Sequence, residues 1–258
     1  MTLAEELSFS RLCHEELSRV KVREGIGLLE EKRLHSVCKR WLSDDFATHE
    51  QKITGEGEKK RRFVADVLMP DGQIFEIQTG KLYPLLKKMQ FYMQETAHPV
   101  CILHPLLTRK HVNWMDPDTG ELKKRSRSTK SEKPLHAIAQ LKPFLPWLAD
   151  PRFSLILLSI EAEEYRLLDG WGREKRRGSH RFELIPTKLL EVYRFGEASD
   201  YLAYFPTDAP AQFTAKEFGR LTHLRGYALY DVLAVFEGLG AIERHGTRGR
   251  ATVWERKI

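Results

Sequence analysis

Cysteine is scarce in this chain. The three residues, Cys13, Cys38 and Cys101, lie far apart and include no CxxC pair. An odd number in such positions excludes a disulfide framework, and the spacing matches no familiar zinc site. They read as reduced, mostly buried thiols. Long hydrophobic runs are missing as well, none approaching the ~18 residues that span a bilayer. The N-terminus, MTLAEELSFSRL, has neither the basic start nor the apolar stretch of a signal peptide. No internal repeat is visible. These absences lead to the expectation of a soluble, cytoplasmic protein with no membrane partner.

What is present suits a folded chain. The 258 residues are enough for one large domain, or one domain with a small appendage. Hydrophobic residues make up 41% and charged residues 30%, so disorder is not indicated. The formal net charge of +6 favours a polyanionic partner.

Residues 1–25 read as a helical extension, with Leu12, Leu17 and Val20 as apolar contacts. Over 28–42, Leu28, Leu34, Val37, Cys38, Trp41 and Leu42 recur at helical spacing, which predicts an amphipathic helix. Strands are expected over 49–54, 62–70 and 73–79. Pro70-Asp71-Gly72 joins the last two as an antiparallel hairpin. A helix over 82–95 takes Pro84 in its first turn. The continuous apolar run 99–106 reads as a buried strand, and HVNWMD, 111–116, follows it, bounded by PDTG. Residues 121–134 are polar and basic and read as a loop. A helical patch (135–148), a central strand (152–168) and a second basic loop (171–183) follow. The segments IPTKLLEVYRF and SDYLAYF both read as helices.

The tail has another layout: a short helix after Thr214, a break near 222–225 and a longer helix to about Leu239. Two strand-like runs around GTRGR then complete the pattern of a winged helix–turn–helix over 212–258. The longer helix is apolar and lacks Asn and Gln, with Arg225 only at its start, so it carries little that reads base edges. It therefore suits either a non-specific grip on the nucleic-acid backbone or packing on the rest of the chain or a second subunit.

The chemistry-bearing stretch is FEIQTGKLYP, 75–84. On a strand, Glu76 and Gln78 project together while Phe75 and Ile77 face the other way. The hairpin places Asp66 roughly opposite Glu76. Two facing carboxylates destabilise a strand pair unless a cation lies between them. Mg²⁺ takes hard oxygen ligands and keeps several waters, so two carboxylates, a carbonyl and a substrate phosphate suffice. The competing reading is an exposed acidic hairpin. His49 and Glu50 on the preceding strand are weaker candidates for a general acid or a further ligand. His35 and His104 read as packed histidines.

Asp66 followed by Glu76-x-Gln78 resembles the PD-(D/E)xK nuclease superfamily. The resemblance covers about residues 26–106, with 26–205 as the whole nuclease-like domain. The block with its winged tail also resembles an uncharacterised bacterial protein family. The superfamily resemblance implies an α/β (α+β) fold with a restriction-endonuclease-like αβββαβ core. It implies Mg²⁺ or Mn²⁺ held by Asp66, Glu76 and the Ile77 carbonyl, and hydrolysis of phosphodiester bonds, with DNA the expected substrate. It also implies an acidic residue near the start of the first helix, for which Glu31 is the nearest position and Glu30 the fallback. The pattern's final lysine is Gln78 here. A nearby lysine takes its place in this reading, Lys81 first, ahead of Lys87 and Lys88. The rival implication is a degenerate nuclease fold that binds nucleic acid or regulates. A third reading is a scaffold for acidic protein partners. Whether two chains pair as a homodimer to cut two strands stays open.

Three basic segments are the expected nucleic-acid contacts. They are Lys123, Lys124, Arg125 and Arg127; Arg173, Lys175, Arg176 and Arg177; and Arg248 with Arg250 in the wing. Trp114 and Trp171 stand beside the first two segments and either stack on bases or anchor the loops.

Overall fold

The computed structural model describes residues 1–18, 33–57, 60–170 and 178–258, the side chains of residues 17, 18 and 180 excepted. Val20, Leu28, Glu30, Glu31, Trp171, Arg173, Lys175, Arg176 and Arg177 lie outside the described residues.

The chain begins with helices α1 (Leu3–Ser18) and α2 (Arg33–Leu42), followed by strands β1 (His49–Thr54), β2 (Arg62–Leu68) and β3 (Ile74–Ile77). A 3₁₀ turn, Tyr83–Leu85, leads into α3 (Leu86–Glu95). Then come β4 (Val100–Met115), β5 (Leu122–Arg127), α4 (Pro134–Ala139), a second 3₁₀ turn (Lys142–Trp147), β6 (Phe153–Leu167) and β7 (His180–Phe195). After α5 (Ala198–Leu202) the tail forms β8 (Gln212–Thr214), α6 (Ala215–Thr222), α7 (Gly226–Gly238), β9 (Ile242–Arg248) and β10 (Ala251–Arg256). The fold is mixed α/β. Among the described residues no helix is long and apolar enough to cross a membrane.

The main sheet runs β1-β2-β3-β4-β6-β7. Its first three strands are antiparallel, β4 is parallel to both β3 and β6, and β7 is antiparallel to β6. Helices cover both faces, which is why the inner parts of β4 and β6 are apolar without alternation. On one side Phe9, Leu12 and Cys13 of α1 and Leu34, Val37 and Cys38 of α2 pack on Ile77, Leu103, Leu158, Ile160, Leu189 and Val192. On the other, Met89, Phe91 and Tyr92 of α3 pack on Ile74, Ile102 and Leu155. That second cluster continues through Phe144 into Phe213, Phe218, Val232 and Phe236, so the tail shares the core of the main sheet.

Three expectations are corrected here. IPTKLLEVYRF is the inner half of β7, not a helix. Its buried residues Ile185, Leu189, Val192 and Phe195 are spaced like a helix because two of the three slips in the ladder to β6 fall opposite this segment, between Ser159/Ile160 and Glu161/Ala162. Each bulge inserts one residue and shifts the period-2 pattern by a step. The basic run 121–134 is not simply a loop. β5 pairs with the outer half of β4, from His111↔Arg127 to Met115↔Leu122. The strand expected at 99–106 does not stop there but runs on through 111–115 as one strand, β4, because its length is paired by β6.

In the tail, β8, β10 and β9 form a separate three-stranded sheet beside α6 and α7. Thr214 caps α6, accepting from the Glu217 backbone N–H while Glu217 reaches back to Thr214. The break to α7 falls at His223, at φ 59°. The apolar side of α7, with Leu229, Val232, Leu233 and Phe236, is buried in the shared core, and Asp231 bonds Lys142 of the main body at 2.8 Å. Of the two uses open to this helix, packing on the rest of the chain is the one observed.

Candidate functional site

Pairing between β2 and β3 covers Leu68↔Ile74 and Val67↔Phe75. The next pair in that register is Asp66 with Glu76, at the point where the two strands part. The Asp66 carboxylate reaches across and accepts the Ile77 backbone N–H at 2.7 Å. β3 itself stays paired to β4, with the Gln78 N–H donating to the Leu103 carbonyl at 3.0 Å. An open cleft of ≈ 420 Å³ lies at this opening, lined by His35, Phe63, Asp66, Glu76, Ile77, Gln78, Pro84, Leu85, Lys87 and Lys88.

Glu76 is 0% exposed, which rules out the exposed acidic hairpin. A carboxylate so placed needs partners, since an unpaired buried charge is costly. α3 supplies them: Lys88 Nζ donates to one oxygen and Tyr92 Oη to the other, both at 2.7 Å. Lys88 and Tyr92 are four residues apart and so share one helix face. Burial pushes the Glu76 carboxyl up to about 7, against the pull of the Lys88 ammonium and with a further push from the Asp66 charge. Asp66 goes the other way. Its burial also pushes up, but hydrogen bonds from His35 and the Ile77 N–H, with the Lys88 charge, hold it below the ordinary carboxylate value. The cleft thus pairs one firmly ionised carboxylate with one that titrates near neutrality, a division that suits distinct roles for the two acids.

The other expected residues fall in different places. Gln78 lines the cleft, and its side-chain amide donates to the Lys81 carbonyl at 2.5 Å. Lys81 is exposed and is not among the lining residues; Lys88, which had been ranked behind it, is the lysine at the carboxylates. The physical reason is reach. Lys81 leaves the strand in a turn, whereas α3 crosses back over β3 and carries Lys88 onto Glu76. His49 bonds the Ser43 carbonyl at 2.8 Å and Glu50 pairs with Lys39 at 3.0 Å, both away from the lining residues. His104 is buried, with Nδ1 2.5 Å from the Gln78 carbonyl oxygen, and burial lowers its pKa. It braces the strand end from behind.

Two residues that bond the carboxylates were missed or discounted in the sequence. His35 comes off α2 with Nε2 3.4 Å from Asp66. Its place in the apolar stripe of the helix hid it, because that stripe runs past the strand opening. Tyr92 is one of two adjacent aromatics in α3, beside Phe91. Its i, i+4 spacing from Lys88 was the available signal.

Among the described residues no group of three or more His, Cys, Asp or Glu side chains is placed to hold a metal ion. Two carboxylates facing a cleft suit a hard divalent cation that keeps its waters, not a closed structural site. Glu76 already satisfies its charge through Lys88, so a divalent ion there has to share or displace that ammonium.

The basic residues are partly committed within the protein. Arg125 pairs with Glu163 at 2.6 Å, Lys123 with Glu121 at 2.6 Å and Arg248 with Glu217 at 3.0 Å. Lys124 sits over the Trp114 ring at 5.4 Å, so Trp114 anchors β5. Arg127 and Arg250 are exposed.

No solved structure matches the chain. A curated protein of Treponema pallidum (strain Nichols), described as "Uncharacterized protein", is 26% identical over 170 residues, or 65% of this chain and 61% of its own length. The chain therefore spans less than two thirds of that relative. A family match covers residues 32–196, from α2 to just past β7 and including every residue that lines the cleft. The chain belongs to this family, described as Domain of unknown function (DUF8091).

Proposed function

We propose that the protein is a metal-dependent nuclease, hydrolysing phosphodiester bonds of nucleic acid, DNA first, in the cleft between β2, β3 and α3. The observation that carries the reading is the convergence of Asp66, Glu76, Gln78 and Lys88 on one open cleft where two strands part. The order of elements from α2 to β4, a helix, three antiparallel strands, a helix and a strand parallel to the third, supports a restriction-endonuclease-like core. The β8–β10 module with α6 and α7 supports a winged helix.

In this reading Asp66, Glu76 and the Ile77 carbonyl hold Mg²⁺ or Mn²⁺. When bound, such an ion lowers the pKa of its water and offsets charge growing on the phosphate. Asp66, kept ionised by His35 and the Ile77 N–H, is the constant ligand. Lys88 swings between Glu76 and the scissile phosphate, supplying the positive charge that Gln78 lacks. The Gln78 side-chain oxygen is an acceptor that orients the attacking water.

The test is cleavage of labelled DNA and RNA at low salt in Mg²⁺, Mn²⁺ or EDTA. Wild type is compared with Asp66→Ala, Glu76→Ala, Lys88→Met and Lys81→Met. The expected result is metal-dependent cutting that the first three variants lower at least about a hundredfold and Lys81→Met leaves within about threefold. A second reading, nucleic-acid binding without catalysis, is favoured by one observation: both Glu76 oxygens are already engaged by Lys88 and Tyr92. Salt-sensitive binding with no cutting in any metal selects it.

A further inference from the structure

The two helices of the tail present a feature that the cleft does not use. Tyr227 and Tyr230 of α7 are 88% and 58% exposed, while the opposite side of the helix is fixed in the core. Three residues apart, they stand on one helix face. Neither contributes to packing in proportion to its size. The two α6–α7 helices carry three acids, and every one is already paired: Glu217 with Arg248, Asp231 with Lys142 and Glu237 with Arg244. Their cations are different. Lys216, Arg220 and Arg225 are exposed, and none has an ion-pair partner among the described residues. Arg220 and Arg225 flank the turn that delivers the chain to Tyr227, and His223 is exposed within it.

From these observations, two exposed tyrosine rings on a helix fixed in the core and three cations without ion-pair partners on α6 and the turn before α7, we propose that the α6–α7 turn binds single-stranded nucleic acid. The tyrosines stack on unpaired bases and Lys216, Arg220 and Arg225 hold the backbone. Aromatic stacking requires open base faces, which a duplex hides and a single strand offers. The helix carries no Asn or Gln to read base edges in a groove, so duplex sequence reading is not what its surface is built for. A second copy of the chain is a poor fit. Two tyrosine rings amount to roughly 300–500 Å² even when wholly covered, against about 1,600 Å² in a stable interface, and the surrounding like charges would oppose pairing. This inference is independent of the cleavage reading.

Anisotropy of a short labelled oligothymidine, with a hairpin duplex of the same sequence length beside it, tests the proposal. The full chain is used in EDTA and carries Asp66→Ala, so that binding is read apart from any cutting. Both tyrosines are exposed, and thermal melting checks that their variants remain folded. The Tyr227→Ala/Tyr230→Ala pair is expected to weaken single-strand binding about tenfold or more, with duplex binding changed less than about twofold. The Tyr227→Phe/Tyr230→Phe pair should bind as wild type, because it keeps the rings. Arg220→Ser/Arg225→Ser should lower both the affinity and its dependence on salt. Unchanged single-strand binding by the alanine pair overturns the proposal, as does an equal loss on duplex. Self-association of wild type that the alanine pair abolishes also overturns it, in favour of a contact between copies.

Discussion

Glu76 shows how one buried side chain carries both stability and chemistry. Its carboxyl is pushed up by burial to about 7 from an ordinary 4.5, so the folded protein keeps a proton that the unfolded chain releases. Stability from this group is therefore present at low pH and lost as pH rises through the window between those two values. A shift of this size corresponds to roughly 3 kcal/mol at full extent. Asp66 has the opposite sign: its lowered pKa contributes stability above its ordinary value that is lost as pH falls, which keeps the two effects separable. Urea unfolding at about pH 5 and about pH 8 reads the difference. Wild type should lose about 2–3 kcal/mol more than Glu76→Gln over that interval. Equal slopes for the two proteins would show that Lys88 alone neutralises Glu76 and that the burial effect is small.

β5 shows what pairing does to a segment whose composition suggests none. Lys123, Lys124, Arg125 and Arg127 make it look like a solvated loop, yet it pairs with β4 as the seventh strand of the main sheet. Its charges do not oppose this, since Arg125 meets Glu163 and Lys124 lies on Trp114. Amide hydrogen exchange should therefore find ladder amides of 122–127 protected well beyond those of an open loop. Trp114→Ala should speed exchange there several-fold without moving the exchange of β6. Protection equal to that of the 116–120 turn would remove β5 from the sheet. The same element view explains β7. Two of its three bulges fall within 185–195 and made that stretch look helical in one dimension, because the bulge partners sit on β6, far earlier in the chain.

At the scale of the whole molecule, the main sheet and the tail are joined by one aromatic core. Phe236 of α7 is 0% exposed, with its ring 5.2 Å from that of Phe205 and 6.1 Å from that of Phe218. Leu145 of the main body closes against Gly238 so tightly that a Cβ there would lie 2.6 Å from it. The tail should thus unfold together with the sheet. Phe236→Ala is expected to cost about 3–5 kcal/mol and to shift a single denaturant transition that Trp fluorescence and far-UV circular dichroism report together. Two separate transitions, with only the first moved, would mean that the tail folds as an independent unit.

Local rules were enough for much of this protein. The stripe of α2, the Pro70-Asp71-Gly72 turn, Pro84 ahead of α3, the apolar runs of β4 and β6 and the break between α6 and α7 are each written in neighbouring residues, because helix period, turn chemistry and strand burial act over a few positions. The facing of Asp66 and Glu76 was legible too, since a tight hairpin fixes its own register. Tertiary structure decided the rest. Which lysine meets Glu76 depends on the path of α3 over β3, and His35 joins the cleft only because α2 lies against the strand opening. The basic run became β5, and IPTKLLEVYRF became a strand, through pairing with partners far along the chain. Contacts of that kind depend on how distant elements pack together, and no local spacing encodes them.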